Sequence, residues 1–475
     1  MSTAHPSVAT TDFWTMARVA DALGPLSPVN VPRGTGVFGR VWTDTRTIRQ
    51  GDLFVALIGE RFDAHAFLRQ AVEQGASGVV ISNVDAARNL GVPVYQVNDT
   101  LVALGALGTM RRRVWNKPVV GVVGTNGKTS TKELIKAALG ARLEVHATTG
   151  NLNNLIGVPL TLLAIPDSAD VAVVEMGTNQ PGEVPRLRAI VEPDITVVTS
   201  VAEEHLEGLG DLAGVLREEL AAAQGVNVAV VPASQPEVVE AAKVRAKCTV
   251  VAGLDNGDLH PTTWGIEPDG RGVLTLDDVR IELPLRGIHN LRNAMLALAV
   301  AREIGVSMED AGRGIAAMPI PPMRVNYETH GAATVINDAY NSNPGSARAA
   351  IELLAHSGQG RQRVAVLATM LELGPTTPQL HDQVVRDAVA GGVELIAGIG
   401  EFASALSRIV PGDSRVILAD DVEQLWAKLE PRLAPNAVIL LKGSRGMRLE
   451  RLVQPISEWA KQQNQQNQQQ KQPQA

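Results

Sequence analysis

A run of valines, Val119 to Val123 around Gly121, stops at Gly124, Thr125, Asn126, Gly127, Lys128 and Thr129, and an apolar pattern at Leu134, Ile135, Ala138 and Leu139 follows at helical spacing. Nothing else in the chain restricts its fold as much. An apolar strand, a glycine turn and a helix in immediate succession predict a strand–helix unit of a parallel sheet. The glycines let backbone N–H groups turn inward around an anion, and the helix N-terminus adds its partial positive charge. In such a loop Lys128 reaches the outer phosphates of a nucleotide and the Thr129 hydroxyl sits on Mg²⁺, with Ser130 next in line. The spacing departs from the standard Walker A motif, whose first glycine would fall at Val122. The competing reading is a plain glycine turn with a surface lysine.

With 475 residues the chain is too long for one core, and length predicts about three domains. Hydrophobic residues make up 45% and charged residues 20%, and no apolar run approaches a membrane-spanning length, so membrane insertion is not expected. The N-terminus shows no basic segment followed by an apolar core, and the single cysteine, Cys248, excludes an intramolecular disulfide. These features make a cytoplasmic location the expectation; a monomer is also expected. A net charge of −7 and only three tyrosines argue against a nucleic-acid partner.

In chain order, Asp44, Thr45 and Arg46 precede an apolar strand-like run, and Asp63, His65 and a short helical pattern follow; these open a small α/β unit. Asp44 and Arg46 read either as a surface ion pair or as a polar-ligand site. The basic run Arg111, Arg112, Arg113 reads as a solvated helix end before a linker. The stretch from Gly150 holds Asn151, Asn153 and Asn154, either ligand amides or ordinary turn chemistry. A buried-looking strand ends in Glu175, where open α/β sheets bind ligands and where a carboxylate suits a nucleotide-bound Mg²⁺. His205 lies among Glu203, Glu204 and Glu207 past another strand, but an imidazole is a poor ligand for Mg²⁺. Glu218 and Glu219 read as a solvated helix face. Asn290 and Asn293 share one face of a strongly apolar helix; one serves as an N-cap, or both meet an adenine edge. Pro319 to Pro322 reads as a hinge. Beyond it, apolar strands alternate with helices, which predicts a doubly wound sheet. The Gln/Asn-rich tail from Gln462 has the composition of a disordered segment.

The fold class expected is therefore α/β with three domains: a small N-terminal α/β substrate domain (1–114), a central P-loop-type, mostly parallel sheet (115–320) and a C-terminal Rossmann-like domain (321–461), with a tail at 462–475.

Taken together, the phosphate loop, Glu175, His205, Asn290 and Asn293 resemble the ATP-dependent muramyl ligases of peptidoglycan synthesis. The segment around Asp44 to Arg46, with Asp63 and His65, resembles the UDP-sugar-binding domain of the last two ligases of that series. The motifs at 338–344, 370–374 and 442–445 resemble the member that adds D-alanyl-D-alanine. The resemblance implies ATP and two Mg²⁺ ions, and UDP-N-acetylmuramoyl-tripeptide and D-alanyl-D-alanine as substrates. It implies that Lys128, Glu175, His205 and Arg324 are catalytic. Residues Gly124 to Ser130, with Asn290, Asn293, Arg324 and Asp338, would bind ATP. Thr129, Glu175 and His205 would hold metal. Asp44, Thr45, Arg46, Asn151, Asn154, Tyr340, Asn341 and Asn343 would bind substrates. Three departures stand out. Met323 occupies a position usually glycine, Ala368 and Thr369 replace a usual Gly-Asp, and Glu219 stands where many relatives carry a carbamylated lysine. Glu219 is accordingly expected to supply that metal-binding carboxylate itself. Competing readings are the preceding ligase, a folylpolyglutamate synthase, a P-loop motor ATPase and a nucleotide-regulated scaffold.

Overall fold

The computed structural model describes residues 13–321 and 323–471. Residues 1–12 of the polar lead, Pro322 of the expected hinge and 472–475 of the tail lie outside them. The expected α/β architecture is present, built on three main sheets.

The central sheet is six-stranded and wholly parallel, in the spatial order Val145–Ala147, Val171–Glu175, Val119–Val123, Ile195–Val198, Val228–Pro232, Cys248–Ala252. Period-two alternation divides its valines between two cores. Val120, Val122, Val171, Val173 and Val197 face Leu134, Ile135 and the apolar helix Ile288–Ile304. Val119, Val123, Ala172, Val174 and Val198 face Val184, Leu187 and Val215 on the other side. Burial on both faces explains why these strands read as continuous apolar runs. The valines of Val119–Val123 are fully buried. At about 1.5–3 kcal/mol each, they offset the roughly 1–2 kcal/mol per residue lost in ordering the loop that follows. This strand lies between the second and fourth strands of the sheet, at the switch point where a crevice opens beyond the strand ends.

The third domain has its own six-stranded sheet, parallel except for the antiparallel edge strand Asn326–His330. Its strands Ala333–Asp338 and Val438–Lys442 pair so that Asp338 and Lys442 end side by side. The N-terminal unit holds a four-stranded parallel sheet, Val41–Trp42, Leu53–Val55, Gly78–Ile81, Val94–Gln96. Its helix Thr100–Trp115 packs on the helices Gly157–Leu163 and Glu183–Val191 of the central domain.

Two expectations change here. The basic run is a solvated helix end only at Arg113, which is exposed. Arg111 and Arg112 are 6% and 7% exposed; Arg111 donates to the Ile165 carbonyl and Asp167, and Arg112 to Val191, Glu192 and Asp194. Buried guanidinium groups require such partners, and carbonyls at helix ends provide them. The last helix, Val453–Lys471, continues into the stretch whose composition predicts disorder. Gln is a good helix former, and the helix is already nucleated on Ile456 and Trp459 in the core.

Candidate functional site

The strand ends of the central and third domains face one another across a cleft of about 910 Å³. The loop 124–129 forms its floor. Gly124 has φ +120°, and a Cβ there would lie 2.4 Å from Thr199 Oγ1. Gly127 has φ +84°, and its Cβ would lie 2.8 Å from Asn293 Oδ1. Only glycine takes both positions without strain. The loop is tied down by Thr125 N–H to the Ser200 carbonyl (2.7 Å) and Asn126 N–H to Ser200 Oγ (3.0 Å). The helix Lys128–Gly140 begins within the loop, so N–H groups of its first turn have no partner inside the helix. The Lys128 ammonium donates to the Gly124 and Thr125 carbonyls, with Glu204 Oε2 3.9 Å away.

Glu175 forms one wall. Its Oε2 accepts from the Thr129 hydroxyl (3.0 Å) and its Oε1 from Asn153 Nδ2 (2.9 Å). Behind it, the Glu175 N–H donates to Thr148 Oγ1 (2.9 Å), and buried Lys132 donates to the Thr148 carbonyl (2.7 Å). Sequence reasoning missed Thr148 and Lys132. The asparagine-rich loop held Asn153 among its candidate amides, with Asn151 and Asn154 singled out for substrate. Both line the cleft, but Asn154 Oδ1 accepts the Gly157 N–H (2.9 Å) and holds the start of a helix.

Asn290 and Asn293 are buried, and Asn293 Nδ2 donates to Asn290 Oδ1 (3.3 Å) while Asn290 Nδ2 donates to the Arg286 carbonyl (2.8 Å). Gly287 is the residue before the helix, so the N-cap role is not theirs. His289, not singled out by the sequence, also lines the cleft. Burial pushes its pKa down, Asp338 opposes this, and Lys442 and Arg292 add to it.

The third domain closes the other side. Asp338 pairs with Lys442 (2.9 Å) and accepts the Val325 N–H (3.2 Å). The Arg324 guanidinium lies 4.2 Å from the Tyr340 ring centroid. Met323 has φ +54°, the conformation a glycine would adopt freely. Two amides span the domains: Asn341 Nδ2 to Glu204 Oε1 (2.9 Å) and Asn343 Nδ2 to Asn126 Oδ1 (2.8 Å). His205 Nδ1 meets Glu372 of the third domain, a partner the sequence did not suggest because the two are 167 residues apart.

Other residues lie elsewhere. Asp44 and Arg46 form an ion pair (2.7 Å) in which Arg46 is largely exposed; with Thr45 they are outside the residues lining this cleft. Glu218 and Glu219 are buried rather than solvated. Glu218 accepts the Gly182 (2.9 Å) and Val184 (2.8 Å) N–H groups at a helix start. Glu219 Oε2 accepts the Gly124 N–H (2.8 Å) from beneath the loop. Burial pushes its carboxyl up to about 7, against the pull of Lys128 and the Gly124 N–H, while Glu204 and Glu218 push the same way as burial. Glu219 is not among the cleft-lining residues, which differs from its expected metal-binding position.

The Thr129 hydroxyl and Glu175 carboxylate are hard oxygen donors and fit a Mg²⁺ carried by phosphates. Among the described residues no cluster of three His, Cys, Asp or Glu has metal-holding geometry. Mg²⁺ bound largely by phosphate and water does not require one. Of the donors expected for a second ion, Glu175 and His205 both line the cleft, with His205 Nδ1 on Glu372, while Glu219 lies under the loop.

A nucleotide-type cleft between a P-loop sheet and a doubly wound domain matches a known protein class. Residues 122–301 match the Mur ligase middle domain, and 323–445 match the Mur ligase, glutamate ligase domain. The chain belongs to the Mur ligase family. A UDP-N-acetylmuramoyl-tripeptide--D-alanyl-D-alanine ligase of Bacillus subtilis is 33% identical over 429 residues, covering 88% of this chain and 93% of the relative. The enzyme of that name from Escherichia coli is 33% identical over 437 residues, with the same coverage of 88% and 93%. MurF from Acinetobacter baumannii superposes with a TM-score of 0.85 at 30% identity, covering 94% of this chain and 99% of that one. MurF ligase from Thermotoga maritima, solved with ADP, shares the fold with a TM-score of 0.78 at 24% identity, covering 89% and 98%.

Proposed function

We propose that this chain joins D-alanyl-D-alanine to UDP-N-acetylmuramoyl-tripeptide with ATP, through an acyl phosphate. The observation that carries the reading is the cleft lined by Lys128, Thr129 and Glu175 on one side and by Arg324, Asp338, Tyr340 and Asn341 on the other. Phosphoryl transfer needs positioning and charge neutralisation more than covalent help from the protein. The loop and helix N-terminus bind and orient the phosphates, and Lys128 turns from its loop carbonyls toward the γ-phosphate. Asn290 and Asn293 hold the adenine side, and Asp338 and Arg324 bring the third domain onto the nucleotide. Thr129 and Glu175 would hold a Mg²⁺, which would supply charge neutralisation for the phosphates. A carboxylate oxygen of the tripeptide bonds to the γ-phosphorus as ADP leaves. The D-alanyl-D-alanine amine then attacks the acyl carbon, loses a proton, and inorganic phosphate departs. Tyr340 and Asn341 line the side from which the amine arrives, and Asn343 ties that side to Asn126 of the phosphate loop. Asp44, Thr45 and Arg46 belong to the domain that takes the UDP end. A cytoplasmic monomer suits soluble nucleotide-linked substrates, and among the described residues no helix is long and apolar enough to cross a membrane.

The test is an ADP-release and product assay with the UDP-tripeptide, ATP and a panel of amine acceptors. D-alanyl-D-alanine should give a pentapeptide product and stoichiometric ADP. Turnover with a single diamino acid on the dipeptide precursor, or with glutamate on a folate, would establish the competing ligase readings instead.

A further inference from the structure

We infer that Glu219 is a positioning residue that holds the phosphate loop from beneath, and that it is not a metal ligand. The inference rests on the nucleotide-binding reading above. Glu219 is 3% exposed on the helix Leu212–Leu220 and accepts the Gly124 N–H at 2.8 Å. Until Lys128 turns to the phosphates, the Gly124 carbonyl accepts from it as well. The next two N–H groups, of Thr125 and Asn126, are held by Ser200. The first part of the loop is therefore bound to protein, and the N–H groups left for an anion are those of the helix's first turn. Releasing Gly124 would free the turn that aims them.

A carboxylate ligating Mg²⁺ must place an oxygen about 2.0–2.1 Å from the ion. Thr129 and Glu175 meet in the cleft, where a phosphate-bound ion would lie; Glu219 is absent from its lining. A carboxylate facing the phosphates would also repel them. Behind the loop it accepts a hydrogen bond, and its charge attracts Lys128. Its neighbour Glu218 does the same kind of work, holding the N–H groups at the start of Glu183–Val191. Two adjacent acids on one helix thus fix two loops at the strand ends. No lysine lies between Lys136 and Lys243, so no carbamylated lysine is available from this segment, and the inference makes nucleotide binding independent of bicarbonate.

The experiment is equilibrium binding of a fluorescent ATP analogue to the full chain, with nucleotide titrated at fixed Mg²⁺ and Mg²⁺ titrated at fixed nucleotide. Glu219→Gln retains an acceptor for the Gly124 N–H. It should bind no more than about twofold more weakly, with an unchanged Mg²⁺ midpoint. Glu219→Leu removes the acceptor and should bind the analogue about tenfold more weakly, again without moving the Mg²⁺ midpoint. A Mg²⁺ midpoint raised tenfold in Glu219→Gln would overturn the inference, as would normal binding by a folded Glu219→Leu. If Glu219→Leu does not fold, the Glu219→Gln midpoint decides alone. A wild-type protein that binds no analogue would reject the nucleotide reading, and this inference with it.

Discussion

At Gly127, backbone and side-chain chemistry meet in one atom that is missing. Its φ of +84° already disfavours any side chain, and Asn293 occupies the space a Cβ would need. Gly127→Ala therefore adds strain of about 1–3 kcal/mol and pushes on the amide that packs under the loop. Nucleotide affinity should fall at least tenfold while the melting temperature moves by only a few degrees, measured by titration and thermal unfolding on one preparation. The sequence already marked Gly124, Gly127, Lys128 and Thr129, because strand, turn and helix lie next to one another in the chain. Lys132 and Thr148 were not legible, nor was the bond of Asn153 to Glu175. Their roles follow from which side chain lies behind Glu175, and that is set by pairing of strands distant in sequence.

The helix Leu212–Leu220 shows how an element can mislead. Adjacent acids on a helix are ordinarily solvated, and here both are turned inward onto backbone N–H groups. A second element-level case is His381, buried in the helix Thr377–Ala390. Its Nε2 accepts the Met370 N–H (2.9 Å), and its Nδ1 donates to the Thr377 carbonyl (2.7 Å). It holds the loop that carries Glu372 to His205. Burial lowers its pKa, opposed in part by the Thr377 carbonyl. The folded state thus prefers the neutral ring. Its contribution to stability is fully present above the unfolded value of about 6.5 and declines as pH falls below that toward the folded value. His146 and His289, also lowered, act in the same sense, and Glu219, raised, acts in the opposite one. The difference between wild type and His381→Gln isolates one residue. Urea unfolding should show the advantage of wild type over His381→Gln shrinking as the pH is lowered from roughly 7.5 to roughly 5.5. A constant difference would remove the neutral-histidine account.

Across the whole molecule, the doubly wound and parallel sheets were legible because their strands are continuous apolar runs separated by helical patterns. The seam between them was not. Asn126 with Asn343, Glu204 with Asn341 and His205 with Glu372 join residues that no local pattern associates. Those pairs put the phosphate loop and the third domain's strand ends on one cleft, and the proposed chemistry needs that arrangement: a carboxylate is activated on one wall and an amine arrives from the other. The most direct measurement follows an oxygen atom. UDP-N-acetylmuramoyl-tripeptide labelled with ¹⁸O in its terminal carboxylate is turned over with ATP and D-alanyl-D-alanine, and the released phosphate is analysed by mass spectrometry. An acyl phosphate requires each phosphate to carry one ¹⁸O from the carboxylate. Phosphate released without the label, alongside amide product, would contradict the account.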